Sequence, residues 1–130
     1  MKHPFAELIG LVFESVHKGR SFCHIDADEK LFNPHNVVHG SVMVALADTC
    51  MGGALYPLLE EYESCATIEI KINYFKPVRE GTLECATQLL HKGKNVASLE
   101  SEIFNNDSLV AKASGTYAIF RPQKHVKIKI

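Results

Sequence analysis

The sequence predicts an α+β fold in which a curved antiparallel sheet wraps around one long helix. Apolar residues between Ser41 and Leu59 fall on every side of a helical period, so this segment is expected to be a buried helix. From Thr67 onward, apolar and polar residues alternate instead, as they do along strands that have one buried face. Short turns join the later strand segments, which favours antiparallel neighbours. A sheet curved around the helix is the simplest packing that buries it on most sides.

Composition indicates one globular domain spanning residues 1–130, with 46% hydrophobic and 22% charged residues. A formal net charge of -1 gives no overall field that would attract nucleic acid or an anionic membrane. The four cysteines lack a CxxC spacing and are expected to be small buried residues in a reducing compartment. Glu7 and Glu14 interrupt the first apolar residues and argue against a signal peptide, so we expect a cytoplasmic protein.

The N-terminal part is expected to hold a helix, a strand and a loop that leads into the central helix. Apolar residues in Pro4–Val16 follow one helical stripe, and Lys18 and Gly19 end that helix. Arg20–Asp26 is a plausible strand. A polar turn and the loop Asn33–Val38 follow before the central helix begins.

The C-terminal half is predicted to form a meander of four strands. In the first of them Ile68, Ile70, Ile72 and Tyr74 share one face, whereas Thr67 lies on the other. A turn at residues 77–81 precedes the three remaining strands, which are Thr82–His91, Asn95–Phe104 and Leu109–Arg121. The tail His125–Ile130 also alternates and is a candidate edge strand, so the sheet is expected to have five to six strands.

Asp48 is the first functional candidate because it interrupts an apolar helix. Removing an unpaired carboxylate from water costs several kcal/mol of free energy, so a buried carboxylate must have a partner or a function. Two structural alternatives remain open: Asp48 caps a break in the helix, or it faces a wet subunit interface. The segment is also nearly long enough to span a bilayer, but Asp48, Gly52, Gly53 and Pro57 favour a soluble core helix.

Gly40 stands at the predicted helix start, where free backbone N–H groups and the positive end of the helix dipole favour a developing oxyanion. Asn33 and His39 precede it, and Asp48 follows eight residues later, which is an arrangement suited to acyl transfer. Gly40 and Asp48 are nevertheless separated by about 12 Å along the helix axis. Both can act on one carbonyl group only if two chains share a site, so we predict an obligate dimer.

These residues resemble the hotdog-fold acyl-CoA thioesterases of the PaaI-like and 4-hydroxybenzoyl-CoA type. The similar pattern is N-x5-H-G-x8-D followed by T-x6-Y-x2-P, and it extends over most of the chain. The family usually has a second glycine where this chain has Ser41. The resemblance implies hydrolysis of an acyl-CoA or aryl-CoA thioester, no cofactor beyond the coenzyme A of the substrate, and homodimers with shared active sites that assemble into a homotetramer.

The resemblance also implies a role for each motif residue. Asp48 would act as general base or nucleophile, Gly40 as the oxyanion donor, and Thr67 would position the attacking water. Asn33 would lie near the thioester, and His39 would support the loop or the carbonyl. Structural alternatives stand beside these roles: His39 as a helix cap, Asn33 as a turn former and Thr67 as an ordinary strand residue.

Coenzyme A carries phosphates, so basic residues are expected at the rim of the site. Each candidate lies at a turn or a strand end and could equally be an ordinary solvent-exposed charge. The candidates are Arg79, Lys92, Lys94 and Arg121. His35 and His39 stand four residues apart, but they lie in a loop without a third ligand nearby, so no metal site is predicted.

Two other functions remain open at this point. A dehydratase or hydratase acting on an enoyl or 3-hydroxyacyl thioester would use a histidine paired with a carboxylate. A non-catalytic acyl-CoA binding module would gain nothing from Asp48, which argues against that reading. The acyl group and its carrier, coenzyme A or an acyl-carrier protein, are not determined by the sequence.

Overall fold

A computed structural model describes residues 2–122, which form six β-strands and two α-helices with two short 3-10 turns. The tail His125–Ile130, predicted above as an edge strand, lies outside the described residues. The elements are α1 (Pro4–Ile9), β1 (Val12–His17), β2 (Arg20–Asp26), a 3-10 turn (Glu29–Leu31), α2 (Gly40–Leu55), a 3-10 turn (Tyr56–Leu58), β3 (Ser64–Tyr74), β4 (Thr82–Lys92), β5 (Val96–Asn105) and β6 (Ser108–Phe120).

The strands form one antiparallel sheet in the order β1-β2-β4-β5-β6-β3, and α2 packs across its inner face. This arrangement confirms the predicted α+β architecture. The buried side of α2 consists of Val42, Met43, Leu46, Ala47, Cys50, Met51, Ala54 and Leu55. The segment 40–58 is long and apolar enough to cross a membrane, but here it is the helix around which the core is built.

The β5–β6 connection shows why the sequence specifies a tight hairpin at this point. Asn106 and Asp107 both have positive φ, 50° and 63°, between the paired residues Asn105 and Ser108. A two-residue type I′ turn needs positive φ at both central positions, and asparagine and aspartate tolerate it well. The short turn predicted between the strands Asn95–Phe104 and Leu109–Arg121 is therefore confirmed.

The predicted helix Pro4–Val16 is wrong in its second half. Helix α1 ends at Gly10, whose φ of 74° is left-handed, and the backbone N–H of Leu11 bonds back to the Ala6 carbonyl. Residues 12–17 then form β1, which pairs with β2. The spacing of the apolar residues is compatible with one continuous helix. Gly10 nevertheless ends α1, and residues 12–17 form backbone hydrogen bonds with β2 instead.

The predicted four-strand meander is also wrong, because only β4, β5 and β6 follow one another across the sheet. Strand β3 pairs with β6 at the far edge, and β2 takes the place beside β4. The β3–β4 connection is longer than a hairpin turn and crosses the end of the sheet. Its residue Val78 is buried and accepts a hydrogen bond from the Val38 backbone N–H.

A β-bulge in β3 changes which side chains face the helix. Thr67 pairs with Tyr117 and Glu69 pairs with Thr116, so Ile68 has no partner on β6. The prediction that Ile68 shares the inner face with Ile70 is therefore wrong, and Ile68 is 59% exposed. The bulge instead places Thr67 on the helix side of β3, next to Asp48.

Helix α2 is not enclosed on every side, contrary to the expectation from its apolar residues. One stripe remains partly exposed and consists of Val44, Ala45, Asp48, Thr49 and Gly52. Asp48 is thus a partly exposed carboxylate at the boundary of the core. The neighbouring edge strand β3 has eleven residues and pairs through only one side within residues 2–122.

The cysteines bear out the prediction that they are small core residues. Cys23, Cys50 and Cys85 are buried between α2 and the sheet, Cys65 is partly buried, and all four thiols are free. Cys23 and Cys85 are cross-strand partners on β2 and β4. Their contribution to the fold is therefore packing rather than cross-linking.

Candidate active site

His39 caps the N-terminus of α2. Its backbone is extended, with φ -61° and ψ 134°, and its Nδ1 accepts a hydrogen bond of 3.0 Å from the Ser41 backbone N–H. The Ser41 hydroxyl also lies 2.7 Å from the same Nδ1. The Ser41 hydroxyl therefore makes a second contact with the nitrogen that caps the helix. This geometry agrees with the capping alternative for His39.

Asn33 organises the loop that leads into α2. Its Oδ1 accepts from the His35 backbone N–H at 2.8 Å, and its own backbone N–H bonds to the Val37 carbonyl at 2.8 Å. The side chain therefore forms an Asx-type turn, as the structural alternative proposed. The side chains of Asn33 and His39 thus each accept a hydrogen bond from the backbone N–H two residues further along the chain.

Gly40 is the first residue of α2, and no protein acceptor within residues 2–122 takes its backbone N–H. This free donor borders an open groove of about 310 Å³. The other residues that line the groove are Val38, Met43, Tyr74, Phe75, Lys76 and Pro77. A helix start with an unused N–H beside an apolar groove is suited to holding an oxygen that acquires negative charge.

Asp48 has a carboxylate that two hydroxyl groups hold through one oxygen. Thr67 Oγ1 donates to Oδ1 at 2.7 Å, and the Tyr117 hydroxyl donates to the same oxygen. The Tyr117 hydroxyl also lies 2.8 Å from the Asp48 carbonyl oxygen. Within residues 2–122 no hydrogen bond uses Oδ2. One carboxylate oxygen is thus fixed, while the other remains available on the open stripe of α2.

Tyr117 belongs to the candidate site but was not predicted from the sequence. Its side chain is 3% exposed, and burial, followed by the hydrogen bond to Asp48, raises its pKa, so the hydroxyl remains a proton donor. A sequence signal existed, because Tyr117 falls on the same alternating face of its strand as Ala113 and Ile119, and a buried tyrosine hydroxyl needs a partner. The identity of that partner depends on the register between β6 and α2.

The structure brings together some of the predicted site residues and separates others. Thr67 lies against Asp48, whereas Gly40 lies at the start of the same unbroken helix, about 12 Å away along its axis. One copy of the chain therefore presents a donor and a carboxylate at two separate places.

The four basic candidates do not lie at one place either. Arg79 follows Val78, which bonds to the loop before α2, so Arg79 is at the Gly40 end of the sheet. Arg121 pairs with Glu63 at 2.6 Å and bonds to the Lys94 carbonyl at 3.2 Å. This second group, to which Lys92 also belongs, lies at the other end of β3, roughly 30 Å from the Gly40 end.

Comparison with known proteins identifies the family. The model of the family described as "Thioesterase superfamily" matches residues 35–112, which is more than half of the chain and includes His39, Gly40, Asp48 and Thr67. The chain belongs to the thioesterase superfamily. Its fold is the hotdog fold, and it is a thioester hydrolase by class.

Similar proteins cover nearly the whole chain. Conserved protein PA5202 from Pseudomonas aeruginosa is 31% identical, with a TM-score of 0.84, covering 92% of this chain and 96% of that one. The 1,4-dihydroxy-2-naphthoyl-CoA hydrolase of Listeria monocytogenes is 26% identical and covers 91% of this chain and 97% of its own. A variant of the phenylacetic acid degradation protein PaaI from Thermus thermophilus, 21% identical with a TM-score of 0.84, shares the fold and covers 89% and 98%.

Proposed function

We propose that this thioesterase hydrolyses an acyl-CoA or aryl-CoA thioester to the free acid and coenzyme A. The observation that carries the proposal is the Asp48 carboxylate, which two hydroxyls orient while Oδ2 remains available. Two relatives support coenzyme A as the carrier: the Listeria relative is named as a hydrolase of an aryl-CoA, and a relative from Salmonella typhimurium is named as a medium/long-chain acyl-CoA thioesterase, 24% identical over 132 residues.

The proposed reaction uses Gly40 and Asp48 on opposite sides of one thioester. Asp48 removes a proton from water, and the resulting hydroxide attacks the carbonyl carbon of the thioester. The carbonyl oxygen becomes an oxyanion that the Gly40 N–H stabilises. Collapse of this intermediate breaks the C–S bond, and the departing thiolate receives the proton held by Asp48. Direct attack by the Asp48 carboxylate on the carbonyl carbon is the alternative first step. It would use the same placement of Asp48 and Gly40 on opposite sides of the thioester.

We further propose that two chains complete each site. Both Gly40 and Asp48 can reach one carbonyl only from different copies, because a continuous helix keeps them apart within one chain. Within residues 2–122 the outer edge of strand β3 is unpaired and available for pairing, and Thr67 contacts Asp48 while Tyr74 contacts Gly40. Because of the bulge at Ile68, Thr67 and Tyr74 lie the same number of register steps from Lys71, so an antiparallel pair of β3 strands centred on Lys71 sets Thr67 of one copy opposite Tyr74 of the other. The carboxylate of one chain then approaches the helix start of its partner.

Assembly of these dimers into a homotetramer remains part of the proposal. Exposed apolar side chains on β1 and β2, namely Val12, Val16 and Phe22, offer a second surface that favours association. The four free cysteines favour a reducing compartment, and we therefore propose a cytoplasmic location.

The geometry of His39 argues against the dehydratase alternative. That chemistry needs a histidine that exchanges a proton and is paired with a carboxylate. Here Nδ1 of His39 caps the helix at Ser41, and the Asp48 carboxylate of the same chain is held by Thr67 and Tyr117 and not by His39. A binding module, in turn, would have no use for a carboxylate held with a free oxygen at the open face.

Release of free thiol from a panel of acyl-CoA and aryl-CoA thioesters tests this function. We expect turnover with at least one class, and a parallel panel of acyl-carrier-protein thioesters distinguishes the carrier. Turnover of the carrier-protein substrates alone would reject coenzyme A. Absence of thiol release from every substrate, with tight binding by calorimetry, would favour the binding module.

Removing either hydroxyl that holds Asp48 is expected to slow hydrolysis without unfolding the protein. Thr67→Val and Tyr117→Phe each delete one donor to Oδ1 and keep most of the side-chain shape. We expect kcat to fall about 3- to 10-fold in each variant, the effect of one lost positioning hydrogen bond. Tyr56→Phe, at an exposed position, is the matched control. Wild-type kcat in both site variants would show that the hydroxyls do not position the carboxylate.

A further inference from the structure

The last residue of β3, Tyr74, reaches the start of α2. Its hydroxyl donates to the Gly40 carbonyl oxygen at 2.8 Å. The ring also lies close over Gly40, because a Cβ added there would be 3.0 Å from both Cζ and Oη of Tyr74. Tyr74 is 48% exposed as a residue, and its hydroxyl nevertheless bonds to this carbonyl.

This contact completes a set of restraints on the turn at residues 39–41. The His39 backbone N–H bonds to the Leu31 carbonyl at 2.8 Å, and the His39 carbonyl accepts from Val42 at 2.9 Å. The peptide unit that joins Gly40 to Ser41 is held at both ends, at its carbonyl by Tyr74 and at its N–H by His39 Nδ1. In the described part of the chain, the Gly40 N–H is left as the unused donor of this turn.

A restraint of this kind matters because glycine has no side chain to limit its backbone. Glycine visits more φ and ψ values than any other residue, so a glycine N–H points in a fixed direction only if its surroundings hold it. Oxyanion donors are effective when they are oriented before the reaction begins. Partial burial raises the pKa of the Tyr74 hydroxyl, which keeps it protonated as a donor.

We propose that Tyr74 is a positioning residue of the active site: its hydroxyl bond to the Gly40 carbonyl fixes the Gly40–Ser41 peptide unit and thereby restrains the glycine backbone that directs the Gly40 N–H towards the thioester oxygen. This inference rests on the proposed function for the role of Gly40. The Tyr74 ring also forms part of the groove beside Gly40, together with Met43 and Phe75. A truncation to alanine would therefore change the groove, whereas Tyr74→Phe removes the hydroxyl and keeps the ring.

Tyr74→Phe is to be compared with Tyr62→Phe, a variant at a turn position that is 60% exposed. We expect Tyr74→Phe to lower kcat about 3- to 10-fold with KM changed less than about twofold, because one hydrogen bond that orients a transition-state donor is lost. Tyr62→Phe is expected to match the wild type. Wild-type kcat in Tyr74→Phe would overturn the proposal, as would a raised KM with unchanged kcat, which indicates a contact with the ground-state substrate.

Amide NMR provides a readout that does not depend on turnover. In Tyr74→Phe we expect shifted Gly40 and Ser41 amide resonances and faster hydrogen exchange at the Ser41 N–H, with neither change in Tyr62→Phe. Unchanged resonances and exchange would overturn the positioning role. If the wild type hydrolyses no thioester, the proposed function fails, while these spectra still decide whether Tyr74 holds the turn.

Discussion

Asp48→Asn is expected to lower kcat for thioester hydrolysis by about two to four orders of magnitude, the range for loss of a general base. Asparagine has the same shape, and its Oδ1 still accepts from Thr67 and Tyr117. Its amide group, however, can neither take a proton from water nor attack a carbonyl. A lower kcat in this variant therefore reports the chemical role of the carboxylate and not its contribution to the fold. Thiol release at saturating substrate measures the effect.

Asp107→Asn is the matched control for this experiment. Asp107 occupies the type I′ turn between β5 and β6, at a position with positive φ that asparagine accepts readily. We expect wild-type kcat and an unchanged circular dichroism spectrum in this variant. If Asp48→Asn were folded and kept kcat within about threefold of the wild type, Asp48 would have a structural role and the proposed mechanism would be rejected.

Gly40→Pro is expected to lower kcat by about two to three orders of magnitude, the effect of losing one oxyanion donor. Proline has no backbone N–H, so the substitution deletes the group that the proposed mechanism uses. The position otherwise suits proline, because it is the first residue of a helix. His39, which precedes it, already has the extended backbone that a following proline requires. We therefore expect α2 to form in this variant.

Gly40→Ala separates the lost N–H from the added Cβ. Both variants place a Cβ 3.0 Å from the Tyr74 ring, but alanine retains the N–H. We expect the alanine variant to lose activity to a much smaller degree than the proline variant. Equal losses in the two variants would attribute the effect to crowding of Tyr74 and would remove the Gly40 N–H from the mechanism.

Local patterns predicted the parts of the fold that local forces determine. The apolar run after Ser41 located α2, and the asparagine and aspartate pair after Asn105 located a tight hairpin. The same reasoning failed for residues 12–16, where a helical period coincided with a strand. It also failed for the place of β3, because strand order depends on pairing between distant segments.

In the candidate site, too, the features set by local sequence were predictable, whereas the contacts between distant segments were not. Asp48 and Gly40 were predictable because a carboxylate in an apolar helix and a glycine at a helix start are unusual by themselves. The contact between Thr67 and Asp48 depends on the bulge at Ile68, which no alternation of residues reveals. Tyr117 was missed because its partner lies sixty-nine residues away in the chain.

The shared active site is tested most directly by mixing two inactive variants. Asp48→Asn chains keep Gly40, and Gly40→Pro chains keep Asp48. If each site takes Gly40 from one chain and Asp48 from its partner, a mixed dimer has one intact site and one doubly defective site. Co-refolding equal amounts is expected to restore about a quarter of the wild-type thiol release, since about half of randomly paired dimers are mixed and each of these has one of two sites intact. Release no higher than that of the separate variants, in a mixture shown to contain mixed dimers, would contradict the shared site.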